Sequence, residues 1–442
     1  MIVLYLLLSI ALIVYLTIRW KVHPFLALIL VAIMYGFAVG MPPIEIVASI
    51  NTGFGDTLGK IGLVIVLGVL IGAFLENSGG AYALADKALH IIGRQRISSA
   101  MGTIGYIVSI PVFADSGFLL LSPLNKSLTK KAGLTLSGSA IALALGLIAS
   151  HTMVPPTPGP IAAAGLLGAD IGLVLAIGIP VSITAALAGL AFAQFYANRI
   201  WIDPNPEVTE EQIAARLQDA PGAFSSCLPI VVPILLIILK SFTTAFGAGE
   251  SAWKSALSFL GEPVIALMIG LCLALFLPKK FDATMLSASG WTGTALRDAA
   301  GIILITGAGG VFGKILQNSG IATFLGEAIS GIDMGLWLPF LLATAIKTAQ
   351  GSSTVALITT ASIMLPMMPT LGFDTGTEKA MVVVAIGAGS AMISHANDSF
   401  FWVVTQMSGL DVRTGYRLLS LGTVVTGTAA MCALYIGYLI FI

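Results

Sequence analysis

The sequence predicts an all-α polytopic membrane protein made of two inverted repeats, each with a re-entrant hairpin and a broken transmembrane helix. Hydrophobic residues make up 57% of the chain and charged residues only 10%, with a mean hydropathy of +0.99. The segment GVLIGAFLENSG at 68–79 returns as GGVFGKILQNSG at 309–320. Polar, glycine-bearing breaks also interrupt the apolar segments at matching places in the two halves. Internal repeats of this kind are typical of secondary transporters.

The composition also excludes several classes of function. A soluble protein of this length would need a charged surface that 42 charged residues cannot supply. The net charge is zero and there is no basic tail, so no nucleic-acid partner is expected. No HExxH or GxSxG motif is present, and the three cysteines lack metal-ligand spacing. We therefore expect neither an enzyme nor a bound cofactor or structural metal.

The repeat divides the chain into two halves and a linker. We predict a first repeat over 1–197, with a hairpin at about 98–128 and a broken helix at about 134–165. A polar cytoplasmic linker over 198–226, with a short capped surface helix at TEEQ, joins it to the second repeat at 227–442. That repeat has a hairpin at about 335–369 and a broken helix at about 380–408. Hairpins this short do not cross twice, and non-helical backbone at membrane depth needs protein or a wet cavity beside it.

The charges beside the two hairpins predict their orientation. Basic residues flank the first hairpin and mostly acidic residues flank the second. The residues concerned are Arg94, Arg96, Lys126, Lys130 and Lys131 for the first, and Glu327, Asp333, Asp374, Glu378 and Lys379 for the second. By the positive-inside rule the hairpins enter from opposite faces, which places the amino terminus in the periplasm.

The first half offers an acid at a predicted hairpin tip. Asp115, with Ser116 beside it, lies in the sequence ADSG, where a carboxylate and free amides could hold a cation or a proton. The alternative is that Asp115 only caps the helix that follows. Downstream, SHTMVPPTPGP at 150–160 places four prolines directly after an apolar helix, so that helix breaks and its carbonyls are freed.

The second half offers an anion site at its matching tip. The run Gly351 to Thr354 presents free N–H groups and three hydroxyls at a helix start. Lys347 just before it could supply a positive charge, or could simply extend to the membrane interface. The second broken helix, SHANDSFFW at 394–402, carries capping and ligating side chains at Asn397, Asp398 and Ser399.

Histidines end the first segment of each broken helix. His151 and His395 are candidates for carrying protons because the unperturbed pKa of histidine lies near neutrality. The alternative for each is a hydrogen-bonded structural role.

The segments IPVFADSGF, VPPTPGPIAAAGLLGADIG and SHANDSFFW resemble, in order and spacing, the marks of the gluconate permease family (GntP). The resemblance covers the whole chain, and the proline motif is its most specific part. It implies a multi-pass protein of the bacterial inner membrane that takes up gluconate or a related small hydroxy acid with protons. It also implies membership of the ion transporter superfamily, in which paired hairpins move as an elevator-like domain.

The residues and the resemblance together give one expected site. We place ion coupling at Asp115, His151, His395 and Asp398. We place substrate contact at Ser116, Gly117, Thr157, Gly159, Gly351, Ser352, Ser353, Thr354, Asn397 and Ser399.

Three departures from the family pattern leave the substrate size and the coupling ion open. Many members have glutamate, histidine and glycine at the positions of Asp115, Thr157 and Phe400. Sodium near Asp115 and Asn397 stays an alternative to protons. Glycerate-like or hydroxybutyrate-like acids, or D-serine, stay alternatives to gluconate, and the sequence does not decide whether the chain forms a homodimer.

Overall fold

The computed structural model describes residues 2–93, 96–204, 218, 220–246, 252–320, 334–395 and 398–441. The helices of the first half are α1 (Ile2–Arg19), α2 (Pro24–Ala38), α3 (Pro43–Asn77), α4 (Gly80–Ile92), α5 (Ile97–Val108), α6 (Ala114–Lys131), α7 (Leu136–Met153), α8 (Pro158–Leu167) and α9 (Ile171–Phe195). Those of the second half are α10 (Ala223–Phe246), α11 (Ala252–Leu260), α12 (Pro263–Leu275), α13 (Trp291–Asn318), α14 (Trp337–Gln350), α15 (Ser353–Met364), α16 (Gly376–Ser390), α17 (Ser399–Met407), α18 (Val412–Gly415) and α19 (Leu421–Phe441). A π-helical turn, Tyr416–Ser420, leads into α19. The described residues contain no strand.

Several of these helices are long and apolar enough to cross a membrane. Five continuous helical stretches of the described residues qualify by length and composition, and two bent pairs raise the number to seven. The stretches are Leu136–Leu167, Ile171–Arg199, Ala223–Lys240, Ala283–Asn318 and Val412–Ile440. The bent pairs are Pro43–Lys60 with Gly62–Asn77 and Trp253–Leu260 with Pro263–Leu275. The chain is therefore a multi-pass membrane protein.

The helix order of the first half recurs in the second. A long helix, two hairpin helices, a helix broken in two and a closing helix occur in this order in each half: α3, α5, α6, α7 with α8, and α9 in the first, and α13, α14, α15, α16 with α17, and α19 in the second. The repeated sequence lies at the ends of the long helices, where Gly79 and Gly320 have φ of +80° and +73°. Glycine adopts this left-handed conformation without a Cβ penalty, so the repeated NSG is a helix-ending signal.

Glycines set the closest helix packing in both halves. A Cβ at Gly146 on α7 would lie 2.1 Å from the carbonyl oxygen of Gly102 on α5. A Cβ at Gly389 on α16 would lie 2.2 Å from the carbonyl oxygen of Phe340 on α14. The first hairpin helix thus packs on the first segment of the broken helix, backbone to backbone, in each half. Every residue of α7 is buried, so this helix lies at the centre of the molecule.

The structure differs from the sequence prediction at the first hairpin tip. The ADSG motif is the first turn of α6, and the hairpin instead breaks at 109–113. Pro111, which lacks an N–H, follows the end of α5, and the Gly117 N–H already donates to the Phe113 carbonyl at 2.8 Å. The long helix α3 bends by 45° near Lys60. The predicted TEEQ helix lies outside the described residues.

Candidate functional site

The second segment of each broken helix packs on a hairpin helix of the opposite half. On one side α8 packs on α15, where a Cβ at Gly159 would lie 2.6 Å from Leu357 Cδ1 and 3.7 Å from Thr354 Cα. On the other side α17 packs on α6, and the rings of Phe118 and Phe400 meet edge to face at 6.2 Å. Elements that are distant in the chain thus surround one region of the interior.

A buried ion pair occupies the second break. Lys347 Nζ, in the last turn of α14, lies 2.6 Å from Asp398 Oδ2. The two side chains are only 1% and 6% exposed. Lys347 also donates to the carbonyl oxygen of Gly351, at the hairpin break itself. Of the two alternatives for Lys347, the structure therefore has the inward one, because its ammonium points to a carboxylate and not to the membrane interface.

Asp398 is held by three further contacts. Its Oδ2 accepts a hydrogen bond from Ser394 Oγ at 2.5 Å, and its Oδ1 accepts one from the Phe400 N–H at 3.1 Å. Its own N–H donates to the His395 carbonyl at 2.8 Å. Asp398 is thus the N-cap of α17 and the counterion of Lys347 at the same time.

Ser394 is itself fixed in place. Its N–H donates to Thr423 Oγ1 at 3.1 Å, and its carbonyl accepts from the Ser420 hydroxyl. Side chains from α19 and the π-helical turn therefore satisfy the backbone groups that the break sets free.

Asp115 links the first half to this region. Ser399 Oγ, at the start of α17, donates to Asp115 Oδ2 at 3.1 Å, across a sequence separation of 284 residues. The other oxygen, Oδ1, is buried and has no hydrogen-bond partner among the described residues. Asp115 also lies within electrostatic range of both Asp398 and Lys347. The carboxylate therefore belongs to the same charged cluster as the ion pair.

The two histidines occupy different environments. His151, near the end of α7, is 7% exposed, and its Nδ1 is buried with no hydrogen-bond partner among the described residues. It lies within electrostatic range of Lys347 and Asp398, and its ring centroid is 5.9 Å from that of Phe113. His395 Nε2 is 2.7 Å from the carbonyl oxygen of Thr348, which ties the second break to α14.

The predicted hydroxyls of the second tip are partly engaged in holding the tip together. Ser352 is the N-cap of α15 and accepts from the Val355 N–H at 3.3 Å. Ser353 donates its hydroxyl to the Ser390 carbonyl at 2.8 Å. Thr354 is half-buried one residue further on. The start of α15 still leaves its first N–H groups without acceptors in the helix, as an anion site requires.

Several predicted contact residues have a packing role in this structure. A Cβ at Gly117 would lie 2.7 Å from Leu147 Cδ2, and Gly159 approaches α15 as described above. Gly351 has φ of +92° and turns the chain at the hairpin break. Thr157 is buried and donates to the Val154 carbonyl at 2.6 Å. Ser116 is half-buried on the first turn of α6, beside Asp115. Asn397 lies outside the described residues.

Sequence reasoning did not pair Lys347 with Asp398, and it missed Ser394 and Ser420 as supports. The available signal was a lysine within an apolar hairpin helix, where an isolated ammonium is costly and demands a counterion. Chemically, the cluster combines one ammonium, two carboxylates, a buried imidazole and several hydroxyls. Such a set can bind an anion with hydroxyl groups and can take up a proton.

The sequence pattern of the GntP family permeases matches residues 1–440. A gluconate permease of Pseudomonas aeruginosa is 35% identical, with 90% of this chain and 89% of that protein covered. The inner membrane permease YgbN of Escherichia coli K12 is also 35% identical, with 93% of both chains covered. The D-serine transporter DsdX of Escherichia coli O6:H1 is 33% identical, with 98% and 97% covered.

Among solved structures, the fold is similar to that of the YdaH transporter of Alcanivorax borkumensis. The TM-score is 0.65 at 15% sequence identity, with 94% of this chain and 99% of that chain covered. The likeness is one of fold. The whole-chain family match and the permeases among the relatives, together with the apolar helices, identify a multi-pass inner membrane transporter and not an enzyme. The chain belongs to the GntP permease family.

Proposed function

We propose that this protein imports gluconate or a related small hydroxycarboxylate by proton symport across the bacterial inner membrane. The observation that carries the proposal is the buried charged cluster of Lys347, Asp398, Asp115 and His151 between the two halves. Ionisable groups inside a membrane protein are costly and usually mark a substrate or ion pathway.

The substrate class follows from the chemistry of the cluster. An ammonium and free helix N–H groups favour a carboxylate, and the hydroxyls of Ser352, Ser353, Thr354 and Ser399 suit a polyhydroxylated chain. The relative named as a gluconate permease supports gluconate as the first candidate.

Protons are the proposed coupling ion because the cluster contains groups that can bind them. Asp115, His151, His395 and Asp398 are the candidate carriers, and Asp115 Oδ1 and His151 Nδ1 are buried atoms without partners among the described residues. Sodium near Asp115 and Asn397 is the alternative within the same mechanism. The pH and sodium dependence of uptake separates the two.

The repeated helix order supports an inverted-repeat transporter whose hairpins and broken helices move together as an elevator-type domain. In this arrangement 1–197 and 227–442 are the two repeats, 198–226 is a cytoplasmic linker, and the amino terminus is periplasmic. A homodimer is compatible with this arrangement. Reactivity of single introduced cysteines with a membrane-impermeant reagent tests the topology.

Uptake into proteoliposomes tests the function. Radiolabelled gluconate is supplied with an imposed proton gradient, an imposed sodium gradient or neither. Accumulation driven by the proton gradient alone, and blocked by unlabelled gluconate, is the expected result. No uptake of gluconate, glycerate or 3-hydroxybutyrate under any gradient would contradict the proposal.

A second candidate is a sodium-coupled symporter for a shorter hydroxy acid or for D-serine. The similarity to the D-serine transporter DsdX favours D-serine as its substrate, because that relative is nearly as close as the gluconate permease. Competition by D-serine and glycerate in the same uptake assay distinguishes the candidates. Stronger block by D-serine than by gluconate would select the second.

A further inference from the structure

We propose that Lys347 is the receptor for the substrate carboxylate, that Asp398 takes the place of that carboxylate in the empty site, and that the displaced Asp398 carries the coupled proton. The inference rests on the proposed function and assigns to two residues the steps that couple substrate to proton.

The geometry around Lys347 indicates an exchangeable partner. The ammonium is 1% exposed and sits at the hairpin break, bonded to the Gly351 carbonyl and, at 2.6 Å, to Asp398 Oδ2. A buried lysine cannot stay charged without a counterion. A substrate carboxylate that reaches the break can replace Asp398 at the same ammonium, since both are carboxylates with the same charge and the same bonding geometry.

The hydrogen bonds of Asp398 allow its side chain to stay in place when Lys347 no longer pairs with it. Its Oδ1 keeps the hydrogen bond from the Phe400 N–H whether or not Oδ2 is protonated. Ser394 Oγ donates to Oδ2 at 2.5 Å in the present state. A hydroxyl both donates and accepts, so Ser394 can accept from a protonated Oδ2 by rotating its own hydrogen. The Ser420 and Thr423 contacts hold Ser394 in place during this change.

Charge balance then explains why substrate and proton move together. The empty pair carries +1 and −1, which sum to zero. With an anionic substrate bound and Asp398 ionised the sum is −1, and with Asp398 protonated it returns to zero. A net charge at the membrane centre costs about 2.5–3.5 kcal/mol on insertion scales. Asp115 contributes the same charge in every state, so loading with substrate and proton together leaves the net charge of the site unchanged, whereas substrate alone adds one negative charge.

The proton goes to Asp398 because substrate binding changes its surroundings most. The titratable or charged groups nearest the pair are Asp115 on α6, His151 on α7, His395 in the break, Arg413 on α18, and Tyr416 and Arg417 on the π-helical turn. α6 also carries Lys126, Lys130 and Lys131, and α16 carries Glu378 and Lys379, all toward the helix ends remote from the pair. Tyr416, Arg413 and Arg417 are exposed, and His395 is bonded to Thr348. Asp115 keeps its Ser399 partner when Lys347 changes partner. Only Asp398 loses its ammonium.

Proton uptake on substrate binding tests the exchange. Purified protein is titrated calorimetrically near neutral pH with gluconate, glycerate and 3-hydroxybutyrate, in buffers that differ in ionisation enthalpy, which counts protons bound per ligand. For the wild type we expect one proton per acid. Asp398→Asn should bind the acid more tightly than the wild type does, because no carboxylate of the protein then competes for Lys347. Lys347→Met should weaken binding by about a hundredfold.

Matched controls keep the test sharp. Lys347→Met leaves Asp398 unpaired, so the double variant Lys347→Met/Asp398→Asn, with no unpaired charge, is measured beside it and should show the same loss of affinity. Lys240→Met removes an ion pair with Glu262 outside the cluster and should bind as the wild type does.

Three results would overturn the exchange. They are weaker binding of the acid by Asp398→Asn than by the wild type, wild-type affinity in the double variant, and absence of proton uptake in the wild type. If the wild type bound none of the three acids, the proposed function would fail together with the inference. Binding by the wild type with any of the three results above would overturn the inference alone.

Discussion

The two helix breaks differ in how they satisfy the backbone they set free. In the first, residues 154–157 include two prolines, which have no N–H to satisfy, and Thr157 closes the turn onto the Val154 carbonyl. In the second, residues 391–398 contain no proline, and side chains from Ser420, Thr423 and Asp398 make the hydrogen bonds. The proline rings therefore reduce the number of N–H groups that the first break must satisfy. The second break depends instead on hydrogen bonds from side chains, which a ligand can rearrange.

The two hairpins also differ in the charged group that each contributes to the site. The first hairpin contributes one carboxylate, Asp115, bonded to a hydroxyl of the other half. The second contributes an ammonium, Lys347, bonded to a carboxylate of its own half. The two halves share one helix order, but among the described residues the only buried ion pair lies in the second half.

The largest effect should come from breaking that pair. Lys347→Met should lower the free energy of unfolding by about 3–5 kcal/mol, because it leaves a buried carboxylate without its counterion. Lys347→Met/Asp398→Asn should recover most of this loss. Thermal unfolding in detergent measures both. Lys240→Met, which breaks a partly exposed pair, should cost only about 0–1 kcal/mol. Equal losses from Lys347→Met and Lys240→Met would show that the buried pair at the second break contributes no more to stability than a partly exposed pair does.

The next effect tests whether the two halves share one scaffold. Gly146→Ala and Gly389→Ala each place a Cβ about 2 Å from a backbone carbonyl oxygen of the preceding hairpin helix. Each should destabilise the protein by about 1–3 kcal/mol through overpacking, and by similar amounts in the two halves. Gly301→Ala, where a Cβ meets no atom within 4 Å, is the control. A loss in one half only would mean that the halves differ in packing as well as in chemistry.

Much of the scaffold could be predicted from the sequence, and less of the site. The prolines at 155–158 and the NSG signals act locally, so the first break and the ends of α3 and α13 follow from the residues themselves. The Lys347 to Asp398 pair joins residues 51 apart in different elements, and the Ser399 to Asp115 bond joins residues 284 apart. No local rule fixes such contacts. The first hairpin break lies upstream of ADSG because Pro111 has no N–H with which to continue α5, whereas the polar residues of ADSG fit into the first turn of α6.

A smaller effect separates the two carboxylates of the cluster. Asp115→Asn removes a negative charge near the anion site and should tighten gluconate binding by about 1 kcal/mol. Proton uptake on binding should stay at one per gluconate, because Asp398 is unchanged. The calorimetric titration described above measures both quantities. Loss of proton uptake in this variant would indicate that Asp115 on the first hairpin, and not Asp398, binds the coupled proton.

The smallest effect concerns the hydrogen bond that joins the halves at the site. Ser399→Ala removes the donor to Asp115 Oδ2, at an exposed position, and should cost about 0.5–1.5 kcal/mol of stability. Because the bond bridges α6 and α17, its loss should also loosen the first hairpin more than the second. Hydrogen exchange of the α6 backbone should then accelerate while that of α15 stays as in the wild type. Equal acceleration in both helices would mean that the two hairpins open as one unit. The two breaks would then differ in their polar groups but not in the mobility of their hairpins.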